Sequence, residues 1–231
     1  MELQAQPALV LGRTRQGDRA LVLRLWLRET GPWSAYIPNA RSSSGGFWPA
    51  MAQPLTALEV VPARGRGSLG RLKEARLSPA WRRLHDEPLA QMLVMYAAEV
   101  LRRVLHEGSS SPAFFDEVLA QLTEWDQPQT PLSRAALDWT LLLCRHLGFE
   151  LEAPESRGWV FFPAEGAWAP MGSHASRALT PEVSESLAAA LHGEPLGRER
   201  RNEALDALLA YLEAQHSGWG QLKSVEVLRS L

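Results

Sequence analysis

Arg24, Trp26 and Arg28 stand two residues apart, so an extended backbone turns two cations and a flat aromatic to one side. That combination suits a single-stranded nucleic acid, with cations against the phosphates and π faces against the bases. A second cluster, Arg64-Gly65-Arg66-Gly67-Ser68-Leu69-Gly70-Arg71-Leu72-Lys73, places four cations on a glycine-rich turn suited to phosphate contact. Arg13 and Arg15 precede both, and Trp33, Tyr36, Phe47 and Trp48 are further aromatics nearby. The charge is divided to match. Residues 1–84 carry 13 Lys+Arg against 5 Asp+Glu, a net of +8, while residues 85–231 carry 11 against 21, a net of −10. The whole-chain value of −2 therefore conceals a basic front half that faces a polyanion and an acidic remainder. Composition alone does not say which polyanion.

Other chemistry is thinly supplied. Gly65 to Gly70 satisfies G-x-G-x-x-G, but that fingerprint has force only between the first strand and helix of a βαβ unit. Here it follows Pro62 and several strands without crossover helices, so no nucleotide cofactor is expected. Cys144 and His146 lie two apart on a helix and point roughly 200° apart, which prevents direct pairing. Cys144 reads as a small buried core residue. His85-Asp86-Glu87 reads as a cap and a source of charge at the start of the following helix, where carboxylates favour the positive dipole end. With no paired carboxylates, nucleophile elbow or His-x-x-x-His spacing, the expectation is a protein that is not an enzyme and holds no cofactor.

A single cysteine permits no intramolecular disulfide, which fits a reducing compartment. The first residues lack a basic segment followed by an apolar run, and no stretch approaches about 18 uninterrupted apolar residues. A cytoplasmic protein is expected.

Two periodicities set the frame. Leu21, Leu23, Leu25 and Leu27 face one way and Val22, Arg24, Trp26 and Arg28 the other, which predicts a half-buried strand over Arg19–Arg28. Ala8–Thr14, Trp33–Pro38 and Pro54–Val61 read as further strands, with turns at Gln16-Gly17-Asp18 and Thr30-Gly31-Pro32, and Ser68–Leu77 reads as a fifth, although its Leu-Lys-Glu-Ala content also suits a helix. Five short strands without crossover helices predict a small antiparallel barrel over residues 1–80. Beyond Pro79 the period becomes helical, giving a domain over 81–231. Leu89, Met92, Leu93, Tyr96, Val100, Leu101 and Val104 make a stripe along Pro88–Glu107. Further helices are predicted over 112–125, 132–147, 182–191 and 199–216, with Gly148 closing the third. Residues 149–178 are irregular apart from a hairpin of Trp159–Phe162 and Trp168–Pro170.

Gln16-Gly17-Asp18, Leu21-Val22-Leu23, Glu29-Thr30-Gly31, Tyr36-Ile37, Ala40-Arg41-Ser42 and Gln53-Pro54-Leu55-Thr56 with Leu58-Glu59-Val60-Val61 form an ordered set that resembles the RecO recombination mediators. His146-Leu147-Gly148-Phe149, Arg201-Asn202, Tyr211, His216 and Leu222-Lys223-Ser224 continue it, in order, to the end. The resemblance implies an α+β fold, a five-stranded barrel of the oligonucleotide-binding (OB) type followed by a helical domain. It implies DNA repair and recombination through binding of single- and double-stranded DNA and annealing of complementary strands. Recruitment by the acidic tail of single-stranded-DNA-binding protein, cooperation with RecR to load RecA, and a place at the nucleoid come with it.

One departure matters. Many relatives carry a four-cysteine zinc knuckle after the Leu-Gly-Phe segment, whereas Glu150–Arg177 contains no cysteine. His174 alone cannot build a four-ligand structural site, so no metal is expected and aromatic packing would hold the hairpin instead. Arg13, Arg15, Arg24, Trp26, Arg28, Arg41, Arg64, Arg66, Arg71 and Lys73 are thus the expected DNA contacts. Arg41 joins them by its family position beside a Ser/Gly loop. For Trp26 the competing reading is packing against the helices. Arg134 and Arg145 are candidates for holding an acidic partner peptide with an apolar end. The rival to the whole reading is a protein-interaction adaptor whose barrel no longer binds DNA.

Overall fold

The computed structural model describes residues 4–18, 20–38, 49–63, 69–108, 110–170, 172, 177–216 and 219–229. Five strands, β1 (Gln6–Gln16), β2 (Ala20–Leu27), β3 (Gly31–Ile37), β4 (Ala57–Ala63) and β5 (Arg71–Leu77), form one antiparallel sheet in the order β3-β2-β1-β4-β5. The sheet curls until its edges meet. Tyr36 N donates to the Gly70 carbonyl at 2.9 Å and Gly70 N to the Ser34 carbonyl at 2.9 Å, a parallel bridge that ties β3 to the start of β5. Closure removes the unpaired edges that a flat sheet would expose.

The barrel is filled by the inward half of each strand's alternation. Ala8, Val10, Leu23, Leu25, Leu27, Ala35, Ile37, Leu58 and Val60 form its core, and Met51 and Ala52 of a short 3-10 helix (Pro49–Ala52) join them. Each fully buried leucine contributes about 1.5–3 kcal/mol, so this row is what specifies the register. Closure also imposes a residue type at one point. A Cβ on Gly70 would fall 1.8 Å from the ring of Trp33, so only glycine lets the β5 start reach β3.

Helices follow as α1 (Arg83–Asp86), α2 (Pro88–Val104), α3 (Pro112–Trp125), α4 (Ala135–His146), α5 (Pro181–Leu191), α6 (Arg198–Gln215) and α7 (Lys223–Arg229). Between α4 and α5 lies a hairpin of β6 (Trp159–Phe162) and β7 (Ala167–Pro170). The secondary structure changes character after β5, but the compact units divide later, into Met1–Thr130 and Pro131–Leu231. Helices α1 to α3 therefore pack with the barrel. They are held to one another by reciprocal capping. The Asp126 carboxylate accepts from Arg82 N at 3.0 Å and Leu84 N at 3.1 Å, while Arg83 donates to the carbonyls of Gln127 (2.6 Å) and Thr130 (2.7 Å). These bonds satisfy terminal groups that a helix cannot pair internally.

Three expectations are corrected in detail. Leu89 does not join the buried stripe of α2 and is 39% exposed; Ala90, Val94 and Ala97 take that face instead. The triplet at 85–87 makes no side-chain cap on α2: Glu87 pairs with Arg83, and His85 Nε2 lies 3.3 Å from Thr56 Oγ1. The third helix begins at Ala135, leaving Leu132 buried ahead of it. Gly148 does close that helix, at φ +78°, with Phe149 N donating to the Cys144 carbonyl at 2.8 Å.

Gly70→Ala should be destabilised by about 1–3 kcal/mol or more, the range for overpacking a filled site. Thermal denaturation checks this, and a second substitution, Trp33→Leu, should recover part of the loss by vacating the contested space.

Candidate nucleic-acid interface

The register sorts the outer face of β1, β2 and β3 into rows, because residues opposed across an antiparallel ladder point to the same side. Thr14, Val22 and Tyr36 form the three-strand row nearest the β1–β2 turn. Gly12, Arg24 and Ser34 form the next, then Leu9, Trp26 and Pro32. The first two rows keep Val22, Arg24, Ser34 and Tyr36 partly open to solvent. The third row is closed over. Trp26 is fully buried, its ring 5.2 Å from Phe114 and 5.0 Å from Phe115 of α3. Trp26 Nε1 has no hydrogen-bond partner, as befits a dry contact.

Two expected contacts are therefore corrected. Trp26 offers no face to a base, because an aromatic ring on a strand flanked by helices gains more from packing than from water. Arg28 is committed to Asp116 of α3 through two parallel bonds, Nε–Oδ1 at 2.7 Å and Nη2–Oδ2 at 2.6 Å, and also to Glu29. The fork-to-carboxylate geometry raises the Arg28 pKa and, through the same bond, holds the Asp116 carboxyl below its usual range. It ties strand to helix.

The remaining cations gather at one end. The register brings the β1–β2 turn, the C-terminal end of β3 and the start of β5 together there. Arg13 and Arg15 stand exposed on the last residues of β1, and Arg71 and Lys73 on the first residues of β5. Arg71 faces outward opposite Ala63, whereas Lys73 occupies the irregularity between the Val61–Glu74 and Pro62–Leu72 pairs. Carboxylates at this end are Asp18 and Glu74. Arg41, Arg64 and Arg66 lie outside the described residues, as do Phe47, Trp48 and His174. Tyr36 takes the place expected of Trp26, as the flat group beside the cations.

The sequence reading missed Arg102 of α2. It reaches back over β1, where its Nη1 donates to the Leu11 carbonyl at 2.6 Å. A basic pair at a helix C-terminus reads in sequence as ordinary dipole compensation, and nothing local connects it to a strand 91 residues away.

In the second unit the expected partner residues separate. Arg134 is occupied: it pairs with Asp138 at 2.7 Å and donates to the Ala190 carbonyl at 2.6 Å, fastening α4 to α5. Its assignment as a peptide-holding cation is corrected to that of a tether. Arg145 is exposed on the last turn of α4. Phe161 anchors the hairpin, fully buried with Trp168 at 5.0 Å and Tyr211 at 5.5 Å. A cleft of about 790 Å³ opens beside it, lined by Glu155, Arg157, Trp159, Glu185, His192 and Arg200 among others. Among the described residues no cluster of three His, Cys, Asp or Glu side chains is placed to hold a metal. Burial pushes the Cys144 thiol up to about 12, so at neutral pH it carries no thiolate to attack with. Among the described residues no helix is long and apolar enough to cross a membrane.

A barrel of this strand order, closed between β3 and β5 and followed by helices, is of the OB type. The family profile described as Recombination protein O N terminal matches residues 1–80, and that described as Recombination protein O C terminal matches residues 85–226. The chain belongs to the RecO family of DNA repair proteins. It is 26% identical to the DNA repair protein RecO of Christiangramia forsetii over 97% of both chains. Identity to that of Porphyromonas gingivalis is 26%, and to that of Flavobacterium psychrophilum 24%, each again over 97% of both chains.

Trp26→Ala should cost about 3–5 kcal/mol, whereas Trp26→Phe, which deletes the unpaired N–H, should cost much less; denaturant unfolding separates the two. The Arg28–Asp116 tie adds an acid dependence. Because the folded Asp116 pKa is depressed, its contribution is complete above the unfolded value of about 3.9 and is lost as pH falls through the folded one. Asp116→Asn should flatten stability against pH below about 4. Cys144 should resist Ellman's reagent in the native state and react on unfolding.

Proposed function

We propose that the turn end of the barrel binds DNA, with Tyr36 stacking on a base and Arg13, Arg15, Arg24, Arg71 and Lys73 neutralising phosphates. The observation that carries this reading is the open outer row of Val22 and Tyr36 beside Arg24, at the end of the barrel where Arg13, Arg15, Arg71 and Lys73 are also exposed. In barrels of this type the face of strands two and three and the loops after strands one and four are where oligonucleotides lie. The charge supports it further, since a net of +8 over residues 1–84 lowers the cost of approaching a polyanion.

From binding, annealing follows with no catalytic group. Two complementary strands repel through their phosphates, and a surface that screens that charge while leaving bases accessible lets a downhill pairing proceed. The protein in this reading is a mediator and not an enzyme. It binds single- and double-stranded DNA, anneals complementary strands, cooperates with RecR in loading RecA, and is recruited at the nucleoid by single-stranded-DNA-binding protein. Arg145 is the remaining candidate for that last contact. The competing reading, a protein-interaction adaptor, is favoured by the commitment of Trp26 and Arg28 to internal packing.

Fluorescence anisotropy with a short labelled oligonucleotide decides between them. DNA binding should weaken with salt along a log–log slope of about −2 to −4, corresponding to 3–6 phosphates. Tyr36→Ala should weaken it about 5- to 150-fold, the equivalent of one stacked base. Arg71→Glu with Lys73→Glu, combined with the same change at Arg64 and Arg66, should abolish binding without lowering the melting temperature. Binding that ignores both salt and charge reversal would leave the adaptor standing.

A further inference from the structure

The Gly70 bridge joins β5 to β3 at one residue, and past it β5 is bonded to β4 alone among the described residues. The register shows which of its backbone groups are left over. Ser78 N donates to the Ala57 carbonyl at 3.0 Å, so the bonded pairs of the β4–β5 ladder are Glu59 with Arg76 and Val61 with Glu74. Pro7, which has no N–H, stands opposite Glu59 from β1, as the same alternation requires. Ala75 and Leu77 therefore turn their N–H and C=O groups away from β4, and no bond among the described residues reaches them there. Leu77 is 42% exposed although its ladder partner Leu58 is fully buried. This is an open strand edge.

An open edge takes on another strand unless its side chains discourage one, and charges or a bulge are the usual deterrents. Strand β5 has both, but its charges alternate in sign. Glu74 and Arg76 flank Ala75, and both are exposed, the Arg76 side chain at 73% even while it pairs with Glu59. Consider an antiparallel pair of two such strands about a two-fold axis through Ala75. Ala75 then meets its own copy, and Glu74 stands opposite Arg76 twice. Ala75 is a bonded position in that register, as its outward N–H and C=O require. Shifting the axis to Arg76 sets two guanidinium groups against each other instead. The edge is thus complementary to itself in the register centred on Ala75.

We infer that β5 pairs edge to edge with β5 of a second copy of this chain, about an axis at Ala75. A strand of another protein would need the same alternation of charge, which a second copy supplies by itself. The interface is short, and residues 1–84 of each copy carry a net of +8, so two copies repel until salt or a polyanion screens them. DNA bound to both copies does this and raises their effective concentration as well. A two-fold axis also relates the two strands of a duplex. Paired barrels present two bound strands about such an axis, which suits annealing; that use rests on the DNA-binding reading, whereas the pairing itself does not.

The test is oxidative cross-linking of the full-length chain, with and without a long oligothymidylate. Opposed bonded residues lie about 5.5 Å apart at Cα, within the span of a disulfide, so Ala75→Cys should trap even a short-lived pair. The chain's own Cys144 is buried and takes no part. Leu77→Cys is the control, because its two thiols would lie four residues or about 14 Å apart along the strands. Ala75→Cys should form the linked dimer about tenfold or more faster than this control. Adding Glu74→Arg, or adding Arg76→Glu, should suppress the Ala75→Cys dimer by setting like charges face to face. An equimolar mixture of those two proteins should restore it, since each then meets the opposite sign. Sedimentation velocity of the two charge variants, alone and mixed, reads the same outcome without the cysteine should Ala75→Cys misfold. Equal rates at the two cysteine positions, or a mixture no better than its components, overturn the pairing and leave the edge to another protein's strand or to none. If the register-specific dimer forms while the unaltered protein binds no DNA at low salt, the pairing stands and its use in annealing falls.

Discussion

Trp26 wedged between Phe114 and Phe115 is the contact on which the rest of the first unit depends. It fastens α3 to the outer face of β2, and the Arg28–Asp116 fork secures the same pair of elements one row further on. The outer face of β2 at Trp26 is thereby removed from solvent. What stays open is the part toward the β1–β2 turn, and that is where Tyr36, Arg24 and the exposed cations of β1 and β5 lie. Burial of one aromatic thus draws the border of the candidate interface.

Closure of the barrel supplies the second constraint. The Gly70 bridge to Ser34 and Tyr36 brings the start of β5 beside the end of β3, although about 35 residues separate them in sequence. Arg71 and Lys73 consequently share an end of the barrel with Arg13 and Arg15. Cations drawn from both termini of the domain converge because hydrogen-bond register leaves them no other place. The helical unit beyond Pro131 has its own solution to a comparable problem. Its hairpin keeps Phe161 dry against Trp168 and Tyr211.

Much of this was legible in advance. The alternation of Leu21, Leu23, Leu25 and Leu27 with polar neighbours announces a strand with one buried face, and Leu23, Leu25 and Leu27 are core residues. Gly148 announces the end of a helix, and the aromatic spacing at 159–168 announces a hairpin. The reading went astray where a residue type serves two purposes. Tryptophan stacks on bases and also fills interfaces, and period-2 spacing places Trp26 on the outer face without saying what covers that face. Arg28 and Arg134 are cations by sequence, but their charge is spent on Asp116, and on Asp138 with the Ala190 carbonyl.

Local pattern alone therefore determined the strands, the helices, the change of period near residue 80 and the uneven charge, because backbone periodicity and turn chemistry act over a few residues. Tertiary structure decided that Trp26 is dry, that Arg28 and Arg134 are tied to neighbouring elements, and that Arg102 reaches the β1 backbone beside Gly12. Those outcomes depend on contacts between segments as many as 91 residues apart, where the competition is between burial, pairing and solvation. No window along the chain contains both sides of that competition.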